Sequence, residues 1–450
     1  MASLSSGSAP APTAPASGRS ALRGPLVLDG GLGTHLAALG ADVTGALWSA
    51  QILREDPALI RRAHEDFLAA GAEMITSAAY QVAADWLAAA GADPAEEGPL
   101  LRASVRVARE AIESDQARRE QSGLGRREVL LAASVGPFGA GPGPGTEYDG
   151  EYGLTAEELR DWHRPRVRAL ATAGADLLLA ETIPSIREIE ALAAELPATG
   201  MPWAFSMSIR DGRLADGTDL REAAEQIVQA GGCVALGVNC CAPLDAVRAV
   251  GLLHEALGGD PGARGIALMA YPNSGESWDH VAREWVPGES AAVEGGPSAP
   301  AEIARALRDA GASWIGGCCQ VEPEQIREMA EALQSPASTD GARCESAPDD
   351  AAPAGAVRLH GRLICATDEE AEIVRRHLPE HIALTRAEPG CLRFDVHPTD
   401  DPLVWAVAEL FTDHAAFDAH QARVRASNWG AATAGIAREY EIETISGDRA

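Results

Sequence analysis

From about residue 25 to about residue 333, short runs of uninterrupted apolar residues alternate with amphipathic stretches. Eight runs occur, at 26–29, 74–78, 129–135, 177–180, 203–209, 234–238, 266–270 and 314–315. Most are apolar throughout, the pattern of parallel strands buried on both faces. Helical patterns lie between them. In 57–70, Leu59, Ile60, Ala63, Phe67 and Ala70 share one face, with Pro57 suited to the first turn and Gly71 to the stop. Thr155 and Glu158 have capping-box spacing, and Pro165 predicts a late start or a kink in the helix that follows. Eight such units predict an α/β fold, a (β/α)8 barrel. An open doubly wound sheet is the alternative, but the turn after its first strand would carry a Gly-rich fingerprint that D-G-G-L-G at 29–33 does not match.

After a Ser/Pro/Ala/Asp-rich stretch the texture changes. Strand patterns at 357–365, 391–396, 404–410 and 439–445, with helical patterns at 369–385 and 413–425, give the order β-α-β-β-α-β of a ferredoxin-like α+β domain. The expected organisation is a disordered tail at 1–21, a barrel at 22–335, a linker at 336–355 and a small domain at 356–450.

Composition narrows the chemistry. The 37 basic residues are all Arg, so reactions needing a lysine amine are excluded: Schiff-base aldolases, pyridoxal-phosphate enzymes, Walker-type NTPases and protein kinases. A net charge of −29 argues against nucleic acid and anionic membrane as partners. No run of 18 apolar residues predicts a membrane helix, and the first 20 residues lack a secretory pattern. A cytoplasmic protein with reduced thiols is the expectation.

Four of the eight cysteines stand at two predicted strand ends: Cys240 and Cys241 after G-V-N, and Cys318 and Cys319 after G-G. In a (β/α)8 barrel both ends lie at the rim where active sites are built. Three thiolates there suit a tetrahedral Zn²⁺ with one open position. Neighbours in a strand point to opposite faces, so Cys318 and Cys319 share a metal only where the chain leaves β geometry, a freedom expected of Gly316 and Gly317. At the other end one cysteine should reach, and Cys240 is chosen because Ala242 and Pro243 begin the next turn. The competing readings are small buried hydrophobes and a redox pair, the second weakened by the lack of Cys-x-x-Cys spacing. A metal with three thiolate ligands is a weak Lewis acid for water, and its better use is to hold a substrate thiol as thiolate, ready for an electrophile such as a sulfonium methyl group. Cys344, in the linker, is expected to be an incidental exposed thiol.

The motifs L-D-G-G-L-G-T (28–34), S-V-G-P-F-G (134–139), H-R-P-R-V (163–167), E-T-I-P (181–184), G-V-N-C (237–240), Y-P-N-S-G-E (271–276) and G-G-C-C (316–319) resemble the homocysteine S-methyltransferases that use S-methylmethionine or S-adenosylmethionine. That resemblance implies Zn²⁺ on Cys240, Cys318 and Cys319, homocysteine thiolate as fourth ligand, and methionine as product. It also implies that Asp29 and Glu181 hold the substrate ammonium; capping of the next helix or pairing with Arg is the competing account. Ser77 is placed near the substrate carboxylate, and Asn239, Tyr271 and Asn273 are rim groups suited to orient donor or thiol. Another small thiol or selenol is the alternative acceptor. His35 stands where this branch usually has Glu and is expected to be solvated.

The second domain resembles the antibiotic-biosynthesis-monooxygenase family of dimeric α+β barrels through T-R-A-E-P-G-C (385–391), Phe394, 413–417 and D-A-H (418–420). That implies a homo-oligomer formed through this domain, or cofactor-free oxygenation of a quinol-type substrate within it. His420 is read as structural or interfacial, because Arg423 and Arg425 occupy the stretch where the family commonly has a further histidine.

Overall fold

A computed structural model describes residues 25–43, 47–141, 148–259, 261–279, 284–287, 299–334, 355–386, 388, 390–399, 401 and 403–445. The expected tail, Cys344 and nearly all of the expected linker fall outside these residues. Contacts divide the chain into two units, one ending at Gln334 and one beginning at Ser335.

In the first unit the strands are β1 (Leu26–Val27), β2 (Met74–Thr76), β3 (Leu130–Val135), β4 (Leu177–Ile183), β5 (Trp203–Met207), β6 (Cys233–Asn239) and β7 (Ala267–Tyr271). An antiparallel hairpin, β8 (Glu276–Asp279) and β9 (Glu284–Pro287), follows, and β10 (Trp314–Ile315) completes the barrel. The sequence pattern did not reveal the hairpin. The eight barrel strands pair in parallel in the order β1-β10-β7-β6-β5-β4-β3-β2. A parallel bridge between Leu28 and Met74 joins the two ends, so the sheet is closed.

Because strand side chains alternate, one set points inward and the other toward the helices. The inward set includes Leu26, Leu28, Met74, Leu130, Ala132, Leu177, Leu179, Ala204, Ala235, Met269 and Trp314, all buried. The outward set packs with helix faces such as Ile60, Ala63 and Phe67 of the helix Pro57–Ala70. Asp56 caps that helix and Gly71 ends it in the left-handed conformation. The capping box of Thr155 and Glu158 is formed. Pro165 neither delays nor ends its helix, which runs unbroken over Ala156–Ala171. Pro165 and Asp161, one turn earlier, both lie on the exposed side, where water serves the carbonyl that proline leaves unpaired. On the buried side Arg166 donates to the carbonyls of Val82, Gly136 and Tyr80 and lies over the Trp162 ring, fastening the loops after β2 and β3.

The second unit has strands β11 (Val357–Ile364), β12 (Cys391–Pro398), β13 (Val404–Phe411) and β14 (Ala437–Thr444), with helices Asp368–Arg386, His414–Ala426 and Asn428–Ala432. The antiparallel sheet runs β12-β13-β11-β14, the ferredoxin-like order. Its core includes Val357, Leu359, Leu363, Phe394, Trp405, Val407 and Phe411.

Gly237 gives the barrel a sharp test: a Cβ there would stand 1.7 Å from the Met269 carbonyl oxygen of the neighbouring strand. Gly251, within the helix Pro243–Ala256, has open space around it. Gly237→Ala should lower stability by about 2 kcal/mol or more, whereas Gly251→Ala should raise it by about 0.5–1 kcal/mol, both read as denaturation midpoints.

Candidate active site and metal centre

The inward rows of the barrel strands end in polar residues. Two positions beyond Ala132 is Ser134, beyond Leu179 is Glu181, beyond Ala204 is Ser206, and beyond Met269 is Tyr271. Asn239 follows Ala235 by four positions on the same row. Asp29 and Thr76 extend β1 and β2 to the same rim. Sequence reasoning passed over Thr76, Ser134 and Ser206. The available signal was a lone polar residue in phase with an apolar inward row.

Asp29 and Glu181 are the charged members. The Thr76 N–H donates to Asp29 Oδ2 at 2.8 Å, and the Thr76 hydroxyl to Oδ1 at 3.3 Å. Ser134 donates to Glu181 Oε1, and the Tyr271 hydroxyl to Oε2 at 3.4 Å. Burial pushes the Asp29 carboxyl up to about 8, with the nearby Glu181 charge adding to the rise. Burial also pushes Glu181 up to about 7, against the two hydrogen bonds it accepts. Tyr271 is raised well above its ordinary value by burial and by Glu181, so its hydroxyl stays a donor. Ser77 is buried, and its hydroxyl oxygen accepts from Ser134 N–H at 3.2 Å. Two carboxyls have thus been taken out of water beside hydroxyls and amides, an arrangement suited to a ligand cation.

The Sγ atoms of Cys240, Cys318 and Cys319 lie within 4.8 Å of one another, each half-buried. Cys240 takes a left-handed φ of 50°, which turns it off the end of β6. Cys241 instead faces the helix side, buried in the apolar core, with its thiol pKa raised by burial. After β10 the chain leaves β geometry, as expected, and neither Gly316 nor Gly317 has a left-handed φ. They allow close approach: a Cβ on Gly316 would stand 2.6 Å from Leu28 Cβ, and one on Gly317 2.2 Å from Val321 Cγ1. The left-handed residue is Gln320, at φ 61°, and its N–H donates to Thr34 Oγ1 at 3.0 Å. The loop after β7 ties both cysteine segments together. Cys318 N–H donates to the Pro272 carbonyl at 2.8 Å, and Asn273 N–H to that of Cys241 at 3.0 Å. Asn273 Oδ1 accepts from Cys319 N–H at 3.2 Å.

Cys240 and Cys318 form a disulfide, with Cα atoms 5.6 Å apart, which corrects the expectation that every cysteine is a thiol. The convergence that permits this bond also suits a shared ion once the sulfurs are reduced: three soft donors, half-buried and mutually close, fit zinc with a position to spare.

Two residues lie deeper than a place near the rim suggests. Asn239 is fully buried, and its amide is engaged inside the protein: Oδ1 accepts from Thr182 N–H at 2.9 Å and Ser206 Oγ at 2.6 Å, and Nδ2 donates to Thr182 Oγ1 at 2.8 Å and Cys318 Sγ at 4.0 Å. Both acceptor and both donor positions of the amide are thus engaged within the protein. His35 is not solvated but 8% exposed, with Nε2 3.0 Å from Asp66 Oδ2 and its ring edge-on to Phe67. In the second unit His420 is also interior: Nδ1 lies 2.7 Å from Glu388 Oε2, and Arg423 donates to Glu388 and, at 2.7 Å, to Thr385 Oγ1. Burial, with Glu388 nearby, pushes Glu409 beside His420 up to about 8. Among the described residues, no helix is long and apolar enough to cross a membrane.

Comparison with known proteins bears on this site. Residues 26–333 match the family model described as homocysteine S-methyltransferase, and residues 359–431 the one described as antibiotic biosynthesis monooxygenase. The homocysteine S-methyltransferase of Escherichia coli (strain K12) is 41% identical over 308 residues, covering 68% of this chain and 94% of that protein. The selenocysteine Se-methyltransferase of Brassica oleracea var. italica is 37% identical, covering 69% of this chain and 89% of that protein. The crystal structure of the homocysteine methyltransferase MmuM from Escherichia coli in its metallated form is 38% identical with a TM-score of 0.58, covering 68% of this chain and 96% of that one. A closed parallel barrel whose rim gathers three cysteines and two buried carboxyls, matched over nearly the full length of such relatives, leaves one conclusion: the chain belongs to the homocysteine S-methyltransferase family and is a methyltransferase, with an antibiotic biosynthesis monooxygenase domain joined to its barrel.

Proposed function

We propose that this chain is a zinc-dependent enzyme of the cytoplasm, where its thiols are kept reduced, and that it moves a methyl group from a sulfonium donor, S-methylmethionine or S-adenosylmethionine, to homocysteine, giving methionine. The observation that carries this reading is three cysteine sulfurs within 4.8 Å of one another on the rim that also holds two buried carboxyls. Cys240, Cys318 and Cys319 would hold the metal. Zinc bound there supplies a fourth position at which a substrate thiol gives up its proton without a general base. Asp29 and Glu181 pair with the homocysteine ammonium, Thr76, Ser134 and Tyr271 fix the two carboxylates, and Ser77 faces the substrate carboxylate. Holding the amino-acid end leaves the acceptor sulfur one direction of approach. A sulfur–carbon bond forms to the methyl carbon as the donor's bond breaks, and the donor's electron pair returns to its sulfur, leaving a neutral thioether. A selenol of the same size fits this geometry, and the Brassica relative's name favours testing one.

The direct experiment incubates reduced protein with homocysteine and each sulfonium in turn, measuring methionine and bound zinc. About one zinc per barrel and methionine from at least one donor are expected. Cys318→Ala should lose zinc and drop turnover by at least about a hundredfold. Metal-free protein at full activity would end the proposal.

The carboxyls give a pH test. Their folded values lie above those of an unfolded chain, so without ligand their ionisation withdraws stability as pH rises from about 4 to about 8. A bound ammonium reverses that balance and draws off the protons. Methionine, which has no thiol, should therefore release about one proton on binding at pH 7, and the release should shrink as pH rises through about 8, measured calorimetrically in buffers of different ionisation enthalpy. Asp29→Asn should weaken methionine by about 3 kcal/mol, about a hundredfold.

The second domain is proposed as a homo-oligomerisation device. One face of its sheet carries Arg358, His360 and Arg362 beside Ala406 and Ala408, opposite the face whose Leu359, Leu363 and Val407 join the core. Sizing with and without residues 336–450 tests this, and the truncated protein should run as a smaller assembly.

A further inference from the structure

Thr182, Cys240 and Gln320 are non-glycine residues with left-handed φ, at 62°, 50° and 61°, and all three border the candidate site. Such backbone persists where its surroundings over-determine it. For Thr182 one side chain supplies two of the anchors. Asn239 accepts the Thr182 N–H and donates to its hydroxyl, while the Ser208 hydroxyl donates to the Thr182 carbonyl at 3.5 Å. Ser206 fixes the same amide from β5 at 2.6 Å. Thr182 directly follows Glu181, so fixing Thr182 fixes the peptide to which the Glu181 backbone is joined. The other end of the amide points toward Cys318 Sγ at 4.0 Å, and Cys240 is the next residue in the chain.

We infer that Asn239 is a positioning residue that couples the two halves of the site: it aims Glu181 by locking Thr182 and, with the same amide, donates an N–H to the Cys318 sulfur. The donor steadies that sulfur and draws charge from its thiolate. The inference rests on the proposed division of the rim into an ammonium half and a metal half, and it adds a physical link between them. A buried amide acting only as packing would affect the two halves without distinction. One contacting substrate would affect amino-acid binding alone.

The test uses the reduced full-length chain and two probes: zinc in competition with a chromophoric chelator, and methionine binding to metal-free protein. Asn239→Ala should weaken each by about tenfold. Thr182→Gly, added to Asn239→Ala, should recover most of the methionine affinity, because glycine takes the left-handed conformation without support. It should not recover the zinc affinity. That split cannot come from a general loss of fold, and thermal melts of the single and double variants monitor folding separately. Unchanged zinc affinity in Asn239→Ala, or methionine loss that Thr182→Gly leaves unrelieved, overturns the inference. Wild-type protein that binds neither probe overturns the assignment of the site itself.

Discussion

Closure of the parallel sheet, completed by the bridge from Leu28 to Met74, is the constraint from which the site follows. In a closed barrel every strand sends alternate side chains to a common axis. Along most of each strand those positions are apolar and fill the interior; at the last inward position the rule changes. Ser134, Glu181, Ser206, Asn239 and Tyr271 arrive at one end of the barrel from five different strands. Residues far apart in sequence meet because each is the terminal member of its own inward row.

That ring holds charge where water is scarce. Asp29 and Glu181 keep neutral donors around them but no cationic side chain among the hydrogen bonds described. An arginine there would satisfy them permanently. Hydroxyls and amides hold them without neutralising them, which leaves the cation to come from outside. His420 of the second domain is treated in the opposite way, with Glu388 and Arg423 gathered around it. The first arrangement leaves its counter-charge to a ligand, and the second carries a cationic side chain of its own.

Much of this was legible beforehand, and the reasons differ by element. The barrel strands are apolar on both faces and could be placed within a few residues, and the small domain alternates cleanly enough to give its strand order. Cys240 was separable from Cys241 because a turn begins beyond them. What stayed hidden was mostly tertiary. Nothing in the chain announces that the Asn239 amide will bond Thr182, 57 positions away. His35 looked solvated because its partner Asp66 stands on another helix. A late start was expected at Pro165 because the pattern does not say which side of a helix faces water, and the helix begins at Ala156. Gly316 and Gly317 were singled out for leaving the strand, and their lack of a side chain also lets Leu28 and Val321 approach, which the sequence did not announce.

The segment Pro272–Asn273–Ser274 binds both cysteine-bearing turns through backbone and side-chain hydrogen bonds. It acts as a shared brace, so the two turns do not drift independently. The hairpin of β8 and β9 grows directly out of that brace. Lengthening or shortening the hairpin would therefore tug on both sulfur-bearing turns at once, and diversity in this excursion would be filtered by how well the brace beneath it stays still.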